Sequence, residues 1–387
     1  MRRNGSFARA AGTVALCVFV VSAEPRVATA DTGNPGQLIE SQPLPASIRG
    51  IEGGSVLSYW TNGATGTPVQ ATGALFVPPG EPPSGGWPVV VYDHGTTGMA
   101  ADCSGGVDSM FDPDPVHAER VSQFFRDWVS KGYAVVAPDY VGLGRFDTGP
   151  HPYLDIGNEA TATLDMLRAA HQREPGLSRT WAVVGESQGG QAALGTSHLQ
   201  AAYVPDLDFR GTVAVDPESD VELVLTQAGP STPAIGDPTT TGYNAMILAA
   251  LRAARPALDV DSYLTPMGRT VADTLDTMCL PAIQTYTLGM GLGSLLSRPL
   301  SDTRFRDTLT DYMAVPTSGY TAPILLLLNV TDTQIPSPLH GLLAAQFATN
   351  GVNFRAVPGF GEHVSLNPAQ LTAMSDFLAQ ALTNPAR

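Results

Sequence analysis

Trp181-Ala182-Val183-Val184-Gly185-Glu186-Ser187-Gln188-Gly189-Gly190 reads as a strand that runs straight into a tight turn and then into a helix from Gln191. Four β-formers precede a Gly-x-Ser-x-Gly pattern, and a helical run follows it. A sharp strand-to-helix turn requires small residues on both sides of Ser187, so that backbone and helix can approach closely. The helix N-terminus then favours negative charge near the serine oxygen. Five residues of this kind recur by chance; the strand before and the helix after make Ser187 a candidate nucleophile.

Outward from this turn, strands and helices alternate. Upstream, Trp87 to Tyr92 is a continuous apolar run suited to a strand buried on both faces. Val116 to Ser130 has helical spacing and stops at Gly132. Tyr133 to Ala137 reads as the next strand and Glu159 to His171 as the next helix. Earlier still, Val56 to Trp60 and Val69 to Val77 read as two strands, after an extended, proline-containing stretch from Asn34 to Arg49. Downstream, Val213 to Val215, Ile324 to Val330 and Val352 to Val357 read as strands, with helices at Leu339 to Ala348 and Pro368 to Leu382. Such alternation predicts an α/β fold with a mostly parallel central sheet flanked by helices.

Residues 217–318 break the rhythm. Tyr243 to Ala254, Val271 to Met278 and Ile283 to Leu296 look helical, and no strand stands out. The stretch is too long for a connection, so it predicts a helical cap or lid inserted between a first core part, 31–216, and a second, 319–387. At the start of the chain, Arg2 and Arg3 precede an apolar run from Ala10 to Ala23, and Ala28-Thr29-Ala30 offers small residues for cleavage. Residues 1–30 therefore read as a signal peptide cleaved near Ala30, and the protein as secreted. The run is about 21 Å long as a helix, short of the bilayer core, so no stable membrane insertion is expected.

The net charge is −15. Removing Arg2, Arg3, Arg9 and Arg26 against Glu24 takes away +3, leaving about −18. A chain so acidic would repel nucleic acid, and no nucleic-acid partner is expected. Two cysteines remain after the signal, Cys103 and Cys279. In an oxidising compartment they are expected to form one disulfide, pinning the cap to the loop after Trp87–Tyr92; two free thiols are the plainer alternative.

A serine hydroxyl needs a general base, normally an oriented histidine. In a strand–elbow–helix arrangement of this kind, the α/β-hydrolase fold, the order along the chain is serine, acid, histidine. That leaves His198, His340 and His363. The first two sit within helical stretches and read as ordinary side chains. His363 follows the last strand in the loop Gly359-Phe360-Gly361-Glu362-His363 and is the favoured base. The favoured acid is Asp332, two residues past the long apolar strand, with Asp216 as its rival. Oxyanion donors are expected from the backbone of Gln188 and of one residue among His94, Gly95 and Thr96. Asp93 and the His94 side chain read as loop-orienting, and neither a metal nor a cofactor is expected.

The segments Trp87 to Gly98 with Asp102-Cys103, Pro138-Asp139-Tyr140-x-Gly142-Leu143-Gly144, Gly149-Pro150-His151-Pro152-Tyr153 and Gly185 to Gly190 together resemble the secretory lipase family, the lipase A-like α/β-hydrolases of fungi and actinobacteria. The resemblance runs over the whole chain after the signal. It implies a triad of Ser187, Asp332 and His363, a helical lid, and carboxylic esters including acylglycerols as substrates. The departure is Glu186, where the family's elbow would carry His. His151 and Tyr153 read as loop structure beneath the site. The expected protein is a monomeric ester hydrolase taking a small-molecule or lipid ester. A peptidase or acyltransferase on the same fold is the nearest alternative, and a non-catalytic binding protein the more distant one.

Overall fold

The computed structural model describes residues 33–107, 114–233 and 239–383. The expected signal peptide, residues 1–30, lies outside them. Nine strands form one sheet: β1 (Leu38–Pro43), β2 (Ser55–Asn62), β3 (Pro68–Phe76), β4 (Trp87–Asp93), β5 (Ala134–Pro138), β6 (Leu177–Glu186), β7 (Asp208–Val215), β8 (Ile324–Asn329) and β9 (Phe354–Gly359). Their order is β1-β2-β3-β5-β4-β6-β7-β8-β9. The first three strands run antiparallel and join β5 antiparallel; from β5 to β9 every pairing is parallel.

The parallel strands read as unbroken apolar runs because both faces are covered. In β4, Val89 and Val91 point to a core shared with Leu164, Met166 and Leu167. Val90 and Tyr92 point the other way, to Phe125, Trp128, Met374 and Leu378. The first set belongs to α2 (Ile156–Arg173), the second to α1 (Pro115–Ser130) and α11 (Pro368–Thr383), with α3 (Gln188–Tyr203) and α10 (Ser337–Thr349) completing the flanks. Asp155 starts α2 by accepting from the Asn158 amide, and Glu159 lies in its first turn, where the helix dipole favours an acid.

Between β7 and β8 the chain forms α4 (Val221–Leu225), α5 (Thr240–Ala254), α6 (Pro266–Leu275), α7 (Leu280–Thr287), α8 (Leu292–Leu295) and α9 (Thr303–Met313), with no strand among the described residues. These helices have an apolar core of their own, around Met246, Leu251, Leu275, Ile283 and Phe305, which reaches Met99, Tyr153 and Leu154 of the sheet side. Cys103 and Cys279 form a disulfide. Beside it the Met99 amide donates to the Met278 carbonyl (3.0 Å) and the Leu280 amide to the Thr97 carbonyl (2.7 Å).

Three local readings change. The stretch from Asn34 to Arg49 holds a real strand, β1, which makes Trp87–Asp93 the fourth strand; its half-exposed residues L-I-E-S-Q-P sit at a sheet edge and carry little alternation. The run from Ile283 to Leu296 is two helices, not one, parted around Gly289, whose φ of +77° ends the first. The helix after the turn starts at Gln188, three residues earlier than the apolar run implies.

Candidate active site

At the end of β6 the chain reverses into α3 within one residue. Ser187 stands at that corner with φ 58° and ψ −122°. A Cβ at Gly185 would strike the Gly189 carbonyl, and a Cβ at Gly189 would strike the Asp93 carbonyl, so each flanking glycine is required by a specific backbone approach. The result is a strained serine at the N-terminus of α3, on the C-terminal side of the parallel strands.

His363 meets it. Ser187 Oγ lies 2.8 Å from His363 Nε2, and His363 Nδ1 lies 2.6 Å from Asp332 Oδ2. Asp332 accepts from the amides of Gln334 (2.9 Å) and Ile335 (3.0 Å) through Oδ1, which locks its carboxylate at the end of β8. A carboxylate only accepts, so His363 donates from Nδ1 and presents a bare Nε2 to the serine hydroxyl. Burial alone would lower the basicity of His363, but the hydrogen bond and charge of Asp332 outweigh it and raise the ring's pKa above its ordinary value. Burial alone would raise Asp332, and the hydrogen bonds from His340 and His363 hold it well below the usual carboxylate range.

Asp216, the rival acid, does a different job. Its oxygens accept from the Asn329 amide (2.7 Å), the Asn329 side chain (2.7 Å) and the Val364 amide (2.8 Å). It therefore anchors the residue after His363 instead of the imidazole. Val364 has φ 53°, a costly conformation for a β-branched residue, and Arg120 holds its carbonyl at 2.7 Å. Among the described residues, Asp216, Asp332 and His363 each offer one potential metal ligand within 4.8 Å of the others. In this structure those groups are engaged with one another or with backbone amides.

His340, read from sequence as an ordinary helical side chain, is buried and touches the site. Its Nε2 lies 3.1 Å from the same Asp332 Oδ2. Sequence reasoning missed it because α10 shows no clear polar face; the one available signal was its spacing, eight residues beyond Asp332. Glu186 was likewise unexplained. It is buried and accepts from Tyr92 (3.0 Å) and His117 (3.1 Å), with Arg120 at 3.5 Å. Burial opposes its charge, but Arg120 and His117 prevail and draw its pKa down to about 2. Through Arg120, Glu186 ties the serine corner to the Val364 backbone.

The expected oxyanion residues surround Ser187. Gln188 is fully buried, and its side-chain nitrogen reaches Glu159 Oε1 (2.6 Å) and His151 Nε2 (2.7 Å). An amide nitrogen only donates, so His151 accepts there and donates from Nδ1 to the Val141 carbonyl (2.8 Å). Burial keeps this ring neutral, with its pKa lowered to about 3. His151 thus lies beneath the site and orients the residue after the nucleophile. Of the three loop residues, Gly95 comes close to the serine: a Cβ there would stand 3.8 Å from Ser187 Cβ. The His94 ring is buried against Tyr140, with centroids 4.4 Å apart, and Thr96 Oγ1 contacts the Tyr153 hydroxyl at 3.0 Å. His94, Gly95, Thr96, Ser187 and His363 all line one cavity of about 400 Å³.

Known proteins share this architecture. Candida antarctica lipase A superposes with a TM-score of 0.73 at 19% identity, covering 92% of this chain and 84% of that one. The rice cell wall degrading esterase LipA of Xanthomonas oryzae gives 0.69 at 21% identity, covering 90% and 96% (a second structure of LipA, with ligand bound, is similar). At these identities the likeness is one of fold. A curated relative from Mycobacterium tuberculosis (strain CDC 1551 / Oshkosh), named a probable inactive lipase, is 25% identical over 86% of this chain and 75% of its own length. Residues 120–380, which include Ser187, Asp332 and His363, match the secretory lipase model, and the chain belongs to that family.

Proposed function

We propose that this protein is a secreted serine hydrolase of carboxylic esters, with Ser187 as nucleophile, His363 as general base and Asp332 as the acid that orients it. The observation that carries this reading is the unbroken chain of short contacts from Ser187 Oγ to His363 Nε2 (2.8 Å) and from His363 Nδ1 to Asp332 (2.6 Å). Membership of the secretory lipase family supports it. Ser187 Oγ attacks the ester carbonyl carbon as its proton passes to His363 Nε2. The oxyanion is held by the Gln188 amide and by an amide of the His94–Thr96 loop. The carbon–oxygen bond to the alcohol then breaks, and His363 returns its proton to the departing oxygen. Water, deprotonated by His363, releases the acid from the acyl-serine and restores the hydroxyl.

In the same reading, residues 217–318 form a cap over the site; Tyr243 and Leu280 line the cavity that holds Ser187. The apolar leader 1–30 supports export.

Ser187→Ala is expected to abolish hydrolysis of p-nitrophenyl esters, a loss of about a million-fold in kcat, while the fold survives. Full activity in that variant ends the proposal. The name of the mycobacterial relative favours one rival, a chain that keeps the fold without the chemistry. A fluorophosphonate probe decides: labelling at Ser187 is expected here, and its absence in folded protein supports the rival.

A further inference from the structure

A second cavity, of about 600 Å³, adjoins the first; Tyr243, Thr333 and Gln334 line both. Its wall is largely apolar, with Val221, Leu225, Ile247 and Leu292, but among the described residues it contains one carboxyl, that of Glu218. Glu218 is 4% exposed, and its side chain accepts no hydrogen bond among the described residues. Its amide donates to the Ser187 carbonyl at 3.3 Å, so the two backbones touch, and its carboxyl lies near enough to His363 for each charge to act on the other. Its carboxyl lines the cavity without a protein donor among the described residues, and so is an acceptor open to a ligand's hydroxyl.

Resting on the reading of Ser187 as the acyl acceptor, we propose that Glu218 takes a hydrogen bond from a hydroxyl near the carbonyl end of the acyl chain, making esters of 3-hydroxy acids the preferred substrates. The apolar remainder of the cavity accommodates the rest of the chain. An ammonium group would be a poor occupant, since the same wall would strip its water and supply only one counter-charge. A neutral hydroxyl loses less and satisfies the carboxyl. Desolvation pushes Glu218 up to about 7, which leaves it able to accept from or donate to a neutral hydroxyl.

The test compares p-nitrophenyl esters of 3-hydroxyoctanoate, octanoate and 3-methoxyoctanoate on the wild-type protein. The methoxy ester matches the bulk of the hydroxy ester and has no proton to donate. The hydroxy ester is expected to exceed both others in kcat/KM by about tenfold or more. In Glu218→Leu that ratio is expected to fall to near one, while Glu218→Gln, whose amide oxygen still accepts, retains most of it. Equal rates for the three esters on the wild type, or an undiminished preference in Glu218→Leu, overturn the inference. Those results with Ser187 still labelled by a fluorophosphonate leave the hydrolase reading standing; no hydrolysis and no labelling ends both.

Discussion

His363 shares one carboxylate oxygen of Asp332 with His340. In the proposed mechanism the general base acts only when neutral, so activity is expected to be lost as pH falls through the His363 pKa. Asp332 raises that pKa, so the acid limb of kcat/KM is expected above the ordinary imidazole value of about 6.5. Asp332→Asn should move the limb down and cut kcat by about 10⁴; a limb at or below 6.5 in the wild type contradicts the geometry. His340→Phe removes a donor to a buried charge and is expected to cost about 1.5–3 kcal/mol of stability, read from urea melts. At this scale the meeting of Ser187, Asp332 and His363 was legible, because a turn pattern and two strand ends bring them to one edge of the sheet. His340 and Glu186 were not. Which face of α10 meets β8, and which cations surround an elbow side chain, depend on residues more than sixty positions away in the case of Glu186.

Two elements hold the loop that runs from His94 to Met99. On one side β4 carries it out of the sheet; on the other, residues 278–280 pair with Thr97 and Met99, and the disulfide closes 176 residues of chain. Replacing both cysteines by serine is expected to lower stability by about 2–5 kcal/mol. The check is the melting temperature of the double variant against the wild type; an unchanged value means that the backbone pairing alone secures the loop. The buried strands were readable as elements because a strand covered on both faces must be apolar throughout. β8, with every residue from Ile324 to Asn329 buried, is the plainest case. β1 escaped notice for the converse reason, since an edge strand half open to water imposes no pattern on its sequence.

Several acids are buried among the described residues, and their shifts give stability a sign. Desolvation raises Asp93 to about 8 and Glu218 and Glu222 each to about 7. Each is protonated in the folded state and ionised in the unfolded chain above about pH 4, so stability declines as pH rises from there through the folded value. His363, with its pKa raised, contributes below about 6.5 and loses that contribution as pH rises further. Glu186 and Asp332, both lowered, act in the opposite sense: their contribution is present above the unfolded carboxylate range and is lost on acidification, for Glu186 as pH falls toward about 2. Melting temperature is therefore expected to peak near about pH 5 and to fall by pH 8, opposite to the activity. A melting temperature that climbs from pH 5 to 8 rules this balance out. The sequence by itself determined the layered α/β architecture and the strand ends on which Ser187, Asp332 and His363 sit, because periodicity and turn sterics act over a few neighbouring residues. Only the tertiary structure set Asp332, and not Asp216, against the His363 ring, brought His340 and Glu186 beside it and opened a cavity at Glu218. Those outcomes depend on distances between strand ends far apart in the chain, and such distances exist only once the sheet has closed.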